Sequence, residues 1–137
     1  MAKLKREPMS THVVDASALI ALILEKPGWE EVAERLEHAH MIAPHVLEYE
    51  LMHAVRRRID KEPKHAHLYM QRLVDMLTLT TLRLVDVLFI EVVPLALTTD
   101  LSGYDASYLW LAKELGLPLV TLDHDLRAAA AVTLSQN

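Results

Sequence analysis

Residues His12-Val-Val-Asp-Ala-Ser-Ala-Leu-Ile-Ala-Leu-Ile-Leu24 decide the fold. His12 to Ala16 reads as a short buried strand. Ser17 to Leu24 reads as the helix after it, ended at Lys26-Pro27-Gly28 by the two strongest local breakers. A strand that feeds directly into a helix is the opening of an α/β unit.

The rest of the chain continues that alternation. Trp29, Val32, Ala33 and Leu36 recur at helical spacing, and Met41-Ile42 then makes a minimal strand. Pro44 suits the first turn of a helix running to about Asp60. After the break at Glu62-Pro63, Lys64 to about Thr80 repeats the helical pattern through Leu68, Leu73 and Leu77. Leu82 to Val87 alternates as a strand does. Leu88 to Leu97 reads two ways: its β-branched residues favour a strand, while its length and position favour a helix bent at Pro94, the reading preferred here. Ser102 opens a helix to Leu115 that Gly116 caps, Leu117 to Leu122 is a strand, and an Ala-rich helix runs from Leu126. The expectation is a three-layer α/β/α domain around a mostly parallel central sheet, a single unit over residues 12–137 behind a flexible tail over residues 1–11.

A chain of 137 residues supports one hydrophobic core but not two. With 52% hydrophobic and 5% aromatic residues and three glycines, it suits a helix-rich globular protein rather than an all-β one. The absence of cysteine excludes disulfides and thiolate metal sites. The apolar run from Val13, preceded by Lys3, Lys5 and Arg6, imitates a signal peptide. Asp15 interrupts it, no A-x-A site follows, and it falls short of the ~18 residues that a membrane span needs. The expected location is therefore cytoplasmic, without membrane contact.

In an open parallel sheet, ligands bind at the carboxyl ends of the strands. Asp15 ends the first strand and Asp123 the last, Asp105 lies in the first turn of the helix opened by Ser102, and Glu50 lies two turns into the helix opened by Pro44. Each also has an ordinary reading. Asp15 or Ser17 could cap a helix, Asp123 or Asp125 could cap the last one, and Ser102-Gly-Tyr-Asp105 is a plausible capping box. A helical wheel leaves Glu48 and Glu50 both open as the inward-facing acid. Carboxylates crowded into one cleft repel, however, and raise one another's pKa unless a cation neutralises them. An all-oxygen pocket favours Mg²⁺ or Mn²⁺, which activates water toward a phosphodiester.

Three blocks of the chain resemble the PIN domain family, in particular toxins of the VapC type. Val13-Val-Asp-Ala-Ser-Ala-Leu19 is similar to the family's opening strand and D-x-S turn. Ala43-Pro-His-Val-Leu-Glu-Tyr-Glu-Leu-Met-His-Ala-Val55 is similar to the helix whose acid stands six positions after the Pro, a register that selects Glu50, although His53 stands where an Asn is frequent. Leu101-Ser-Gly-Tyr-Asp-Ala-Ser-Tyr-Leu-Trp-Leu-Ala112 followed by Leu117-Pro-Leu-Val-Thr-Leu-Asp123 resembles the L-S-x-Y-D-A helix and T-x-D strand end. The resemblance implies an endoribonuclease using Mg²⁺ or Mn²⁺, with Asp15, Glu50, Asp105 and Asp123 catalytic. Among these, Asp15, Asp105 and Asp123 are the expected metal ligands, with Glu50 and Asp125 as further candidates and Ser17 and Thr121 in support. It also implies a homodimer inhibited by a small antitoxin protein.

The formal charge of −5 asks for a local basic patch if RNA is the substrate. Arg56, Arg57 and Arg58, with Lys61 and Lys64, form the only strong cluster, for RNA or an acidic partner, unless they merely complement a helix C-terminus. The eight histidines invite zinc, but His38/His40 and His65/His67 are two apart, a poor ligand spacing on a helix. Tyr108, Leu109 and Ala112 continue the Asp105 face and read as core or dimer contacts. The rival functions are a receiver-like domain that accepts a phosphoryl group on an Asp, and a catalytically silent PIN fold kept for binding. The first calls for a Lys at a late strand end, where Leu117 to Leu122 has none.

Overall fold

A computed structural model describes residues 10–136. Residues 1–9 of the expected tail lie outside that range, and Thr11, assigned above to the tail, already belongs to a strand. The chain runs β1 (Thr11–Val14), α1 (Ala16–Leu24), α2 (Trp29–Leu36), β2 (His40–Pro44), α3 (Val46–Lys61), α4 (Ala66–Thr78), β3 (Leu82–Val85), α5 (Phe89–Thr99), α6 (Gly103–Leu115), β4 (Leu119–Val120) and α7 (His124–Thr133). Short 3₁₀ turns precede α4 and follow α7.

The strands form one sheet in the order β3-β2-β1-β4, every neighbouring pair parallel. Among the helices, α1 to α4 pack against one another, as do α5 to α7, and α6 lies on β1 and β2. The sheet is thus sandwiched between two helical layers, as right-handed crossovers on either side of β1 require. Val13 and Val14 are both fully buried, because a central parallel strand meets helices on both faces. The same burial makes α1 almost wholly apolar: Ala18, Leu19, Ala21 and Ile23 are buried with Val32, Leu47 and Leu51 of α2 and α3. No described helix is long and apolar enough to cross a membrane.

Several boundaries differ from expectation. Pro44 is the last residue of β2, opposite Val85, and α3 begins only at Val46. A fixed φ suits a strand end as well as a first helical turn, so Pro44 alone did not place the boundary. The last strand shrinks from Leu117–Leu122 to Leu119–Val120, because the chain beyond Val120 turns its polar groups to the sheet's carboxyl edge. The ambiguous segment is helical, with Pro94 inside α5. Phe89, Ile90, Val93 and Leu97 are exposed and only Val92 is buried, so the helix shows no polar face that could betray its period.

Candidate active site at the carboxyl edge of the sheet

The crossover from β1 leads toward β2, while β4 enters on the other side of β1. That reversal opens a crevice between the carboxyl ends of β1 and β4. Asp15 follows β1, and Thr121 and Asp123 follow β4.

Asp15 is 3% exposed and holds a dense set of hydrogen bonds. Its Oδ1 accepts from the Ala18 amide at 3.1 Å, capping α1, and from the Ser17 hydroxyl at 2.8 Å. Its Oδ2 accepts from the Thr121 hydroxyl at 2.6 Å. Ser17 Oγ in turn accepts from the Leu122 amide, and Thr121 Oγ1 from the Asp123 amide, each at 2.9 Å. Both hydroxyl protons are committed to Asp15, so the 3.3 Å approach of Ser17 to Thr121 has no proton of its own. The network clamps the ends of β1 and β4 together. Arg127 reinforces it by donating to the Thr121 carbonyl at 2.7 Å. Of the roughly four acceptor positions on a carboxylate, three are used, leaving Asp15 one for a ligand.

Asp123 caps α7, its Oδ1 accepting from the Leu126 amide at 2.8 Å. Ser102 caps α6 by accepting from the Asp105 amide at 3.0 Å, which places the Asp105 carboxylate in the first turn. The ordinary reading of these positions as helix starts thus holds, and it leaves both carboxylates at the crevice. A helix start is a favourable seat for a carboxylate, because unpaired amides and the helix dipole offset its charge.

Glu50 arrives from α3, and its Oε1 accepts from the Tyr108 hydroxyl at 2.5 Å. Tyr108 is 1% exposed, so this bond is the only polar purpose of a phenol otherwise buried in the core. Sequence reasoning put Tyr108 among core or dimer contacts and missed this role. The available signal was its position one turn after Asp105, which turns the phenol toward the same crevice.

The charges of these acids act on one another. Burial pushes Asp15 above the ordinary carboxylate range, its hydrogen bonds pull against that rise, and the Asp105 charge adds to it. Burial likewise raises Glu50, against the Tyr108 hydrogen bond, and Asp105 and Asp15 raise it further. Asp105 is raised by burial, then by Asp123 and Asp125. Burial and the neighbouring acids hold the Tyr108 proton firmly. The four expected residues thus come from four separate elements to one edge, with Asp125 an exposed neighbour. As the side chains stand, no three carboxylates or imidazoles among the described residues are gathered close enough to ligate one ion. The donors are nevertheless all oxygen and net anionic, the chemistry that suits a hard divalent cation.

The three expected arginines divide. Arg56 pairs with Asp60 one helical turn away at 3.2 Å. Arg58 is tied into the structure, donating to the Leu24 carbonyl and the Tyr69 hydroxyl at 3.4 Å each. Arg57 lines a groove that reaches Glu50.

The family model for the PIN domain matches residues 12–132. Comparison with curated proteins gives no match. Four solved chains match. One of them, titled the crystal structure of PAE2754 from Pyrobaculum aerophilum, is 26% identical with a TM-score of 0.70, over 93% of this chain and 94% of that one.

Proposed function

The chain belongs to the PIN domain family, generally a metal-dependent nuclease fold, and from that premise we propose that it is an endoribonuclease dependent on Mg²⁺ or Mn²⁺, with Asp15, Glu50, Asp105 and Asp123 as its catalytic acids. The observation that carries the reading is geometric: Asp15, Glu50 and Asp105 come from separate elements to the crevice that the sheet topology opens, close enough for the Asp105 charge to act on both of the others. Acids placed to repel one another favour a cation between them.

Asp15, Asp105 and Asp123 would hold the ion, with Glu50 and Asp125 as further oxygen donors. A bound divalent cation lowers the pKa of water and stabilises charge on phosphate oxygens, which is the chemistry of phosphodiester hydrolysis. Ser17 and Thr121 fix the orientation of Asp15 by donating to its two oxygens. Tyr108 keeps Glu50 turned inward and favours its ionised form. The receiver-like alternative lacks its Lys after β4, where Thr121, Leu122 and Asp123 stand.

The finer assignment, the toxin of a pair, acting as a homodimer and held in check by a small antitoxin, rests on the likeness to VapC-type proteins in the three motif blocks. Titration calorimetry with Mn²⁺, run beside RNA cleavage, tests the enzymatic reading. Wild type is expected to bind metal and cut, and Asp15→Asn and Asp105→Asn to lose both. Metal binding that survives in both variants returns these acids to helix capping. Metal binding without cleavage of any RNA leaves a silent binding module.

A further inference from the structure

A groove of about 480 Å³ runs from the carboxylate crevice between α1, α3 and the start of α6. Its polar lining is Lys26, Tyr49, Glu50, His53, Arg57 and Tyr104. Tyr49, His53 and Arg57 are spaced four apart, so they form one row along α3, about 12 Å from first to last at the helical rise. Glu50 marks the end of the groove at the acids, and Lys26 and Arg57 bring the positive charge. Among the described residues neither cation has an ion-pair partner, unlike Arg56 and Arg58. Tyr49 and Tyr104 are 65% and 63% exposed, far more than a structural phenol such as Tyr69 at 6%.

Exposed rings beside unpaired cations suit a chain that alternates phosphates with unstacked bases. A duplex keeps its bases stacked inward and has no use for such rings. We infer that this groove is a binding track for single-stranded RNA flanking the scissile phosphate, with Arg57 and Lys26 taking a backbone phosphate and Tyr49 and Tyr104 stacking bases. The choice of RNA rests on the nuclease reading. The placement of the track rests on the groove itself. It also supplies the local attraction that a chain of charge −5 needs.

The test is fluorescence anisotropy of a short unstructured oligoribonucleotide, and of the same strand in a duplex, on metal-free protein across a salt series. Wild type binds the single strand more tightly. Arg57→Gln and Lys26→Gln each reduce the slope of log affinity against log salt by about 0.7. Tyr49→Ala and Tyr104→Ala each weaken binding about fivefold or more at an unchanged slope. Lys113→Gln, an equal loss of charge on an exposed part of α6, changes neither. Preference for the duplex, or four groove variants indistinguishable from wild type, overturns the inference. If those variants behave as expected but wild type with Mn²⁺ cuts no RNA, the nuclease reading falls and the track stands. If wild type cuts and the variants bind normally, the track alone falls.

Discussion

Replacing Tyr108 with Phe removes one oxygen and leaves the ring in its buried slot. The lost interaction is a 2.5 Å hydrogen bond to the Glu50 carboxylate. Hydrogen bonds to charged groups contribute about 1.5–3 kcal/mol, and because Glu50 is only half-buried, with water to replace the donor, the lower end applies, about 1.5 kcal/mol. For a chain of 137 residues, the unfolding entropy is about 290 cal/mol/K at ~2.1 cal/mol/K per residue, so metal-free Tyr108→Phe melts about 5 °C lower near neutral pH. The second effect is on the metal. Glu50 already holds its proton above the ordinary range, and the phenol opposes that rise. Without the phenol, Glu50 protonates at still higher pH, and since ligands must be deprotonated, metal affinity falls about 10–100-fold, more at mildly acidic pH than at alkaline pH. Calorimetric Mn²⁺ titrations at two pH values read this directly. A lower melting temperature with unchanged affinity at both would refute the positioning role and leave Tyr108 a packing residue.

Three more outcomes follow from the same geometry. Asp15, Glu50 and Asp105 have folded pKa values above their unfolded ones, so the native state binds their protons more tightly. Their contribution to stability is therefore lost as pH rises from about 4 through the raised values. Scanning fluorimetry should show metal-free Asp105→Asn losing less stability than wild type as pH rises from about 4, and Mn²⁺ raising the wild-type melting temperature chiefly at the upper end of the range. Equal losses in both proteins would show that neither burial nor its acidic neighbours raise Asp105. Gly28→Ala should lower the urea midpoint by the equivalent of about 1–2 kcal/mol, since φ there is +96° and an added Cβ would stand 3.0 Å from Leu122 Cδ1. Arg58→Ala should cost about 1–2 kcal/mol of stability, because its guanidinium bonds the end of α1 and lies over the Tyr69 ring at 5.5 Å, while the salt dependence of RNA binding stays as in wild type.

The alternation of strands and helices was legible because each element carries its own period or breaker: Pro27-Gly28 after α1, Glu62-Pro63 after α3, Gly116 after α6. The acids at strand ends and helix starts were legible for the same local reason. Glu50 was not, since a wheel drawn on α3 alone cannot know that Tyr108 lies opposite; resemblance supplied the register, and the hydrogen bond gives its physical basis. The three adjacent arginines looked alike on paper. Their separation into Arg56 with Asp60, Arg58 with Leu24 and Tyr69, and Arg57 in the groove depends on residues far away in the chain.

Asp15 and Asp123 each close the first turn of a helix, and this gives two of the four acids a reason to persist that is independent of chemistry. Whether or not a relative of this chain cuts RNA, it would be selected to keep Asp, Asn or Ser there, or lose a helix start. Glu50 and Tyr108 have no such insurance: in a relative that binds no cation there, a half-buried acid and the phenol that restrains it are free to drift to apolar residues. In judging which kin of this chain remain active, the pair on α3 and α6 is the more honest witness than the two caps.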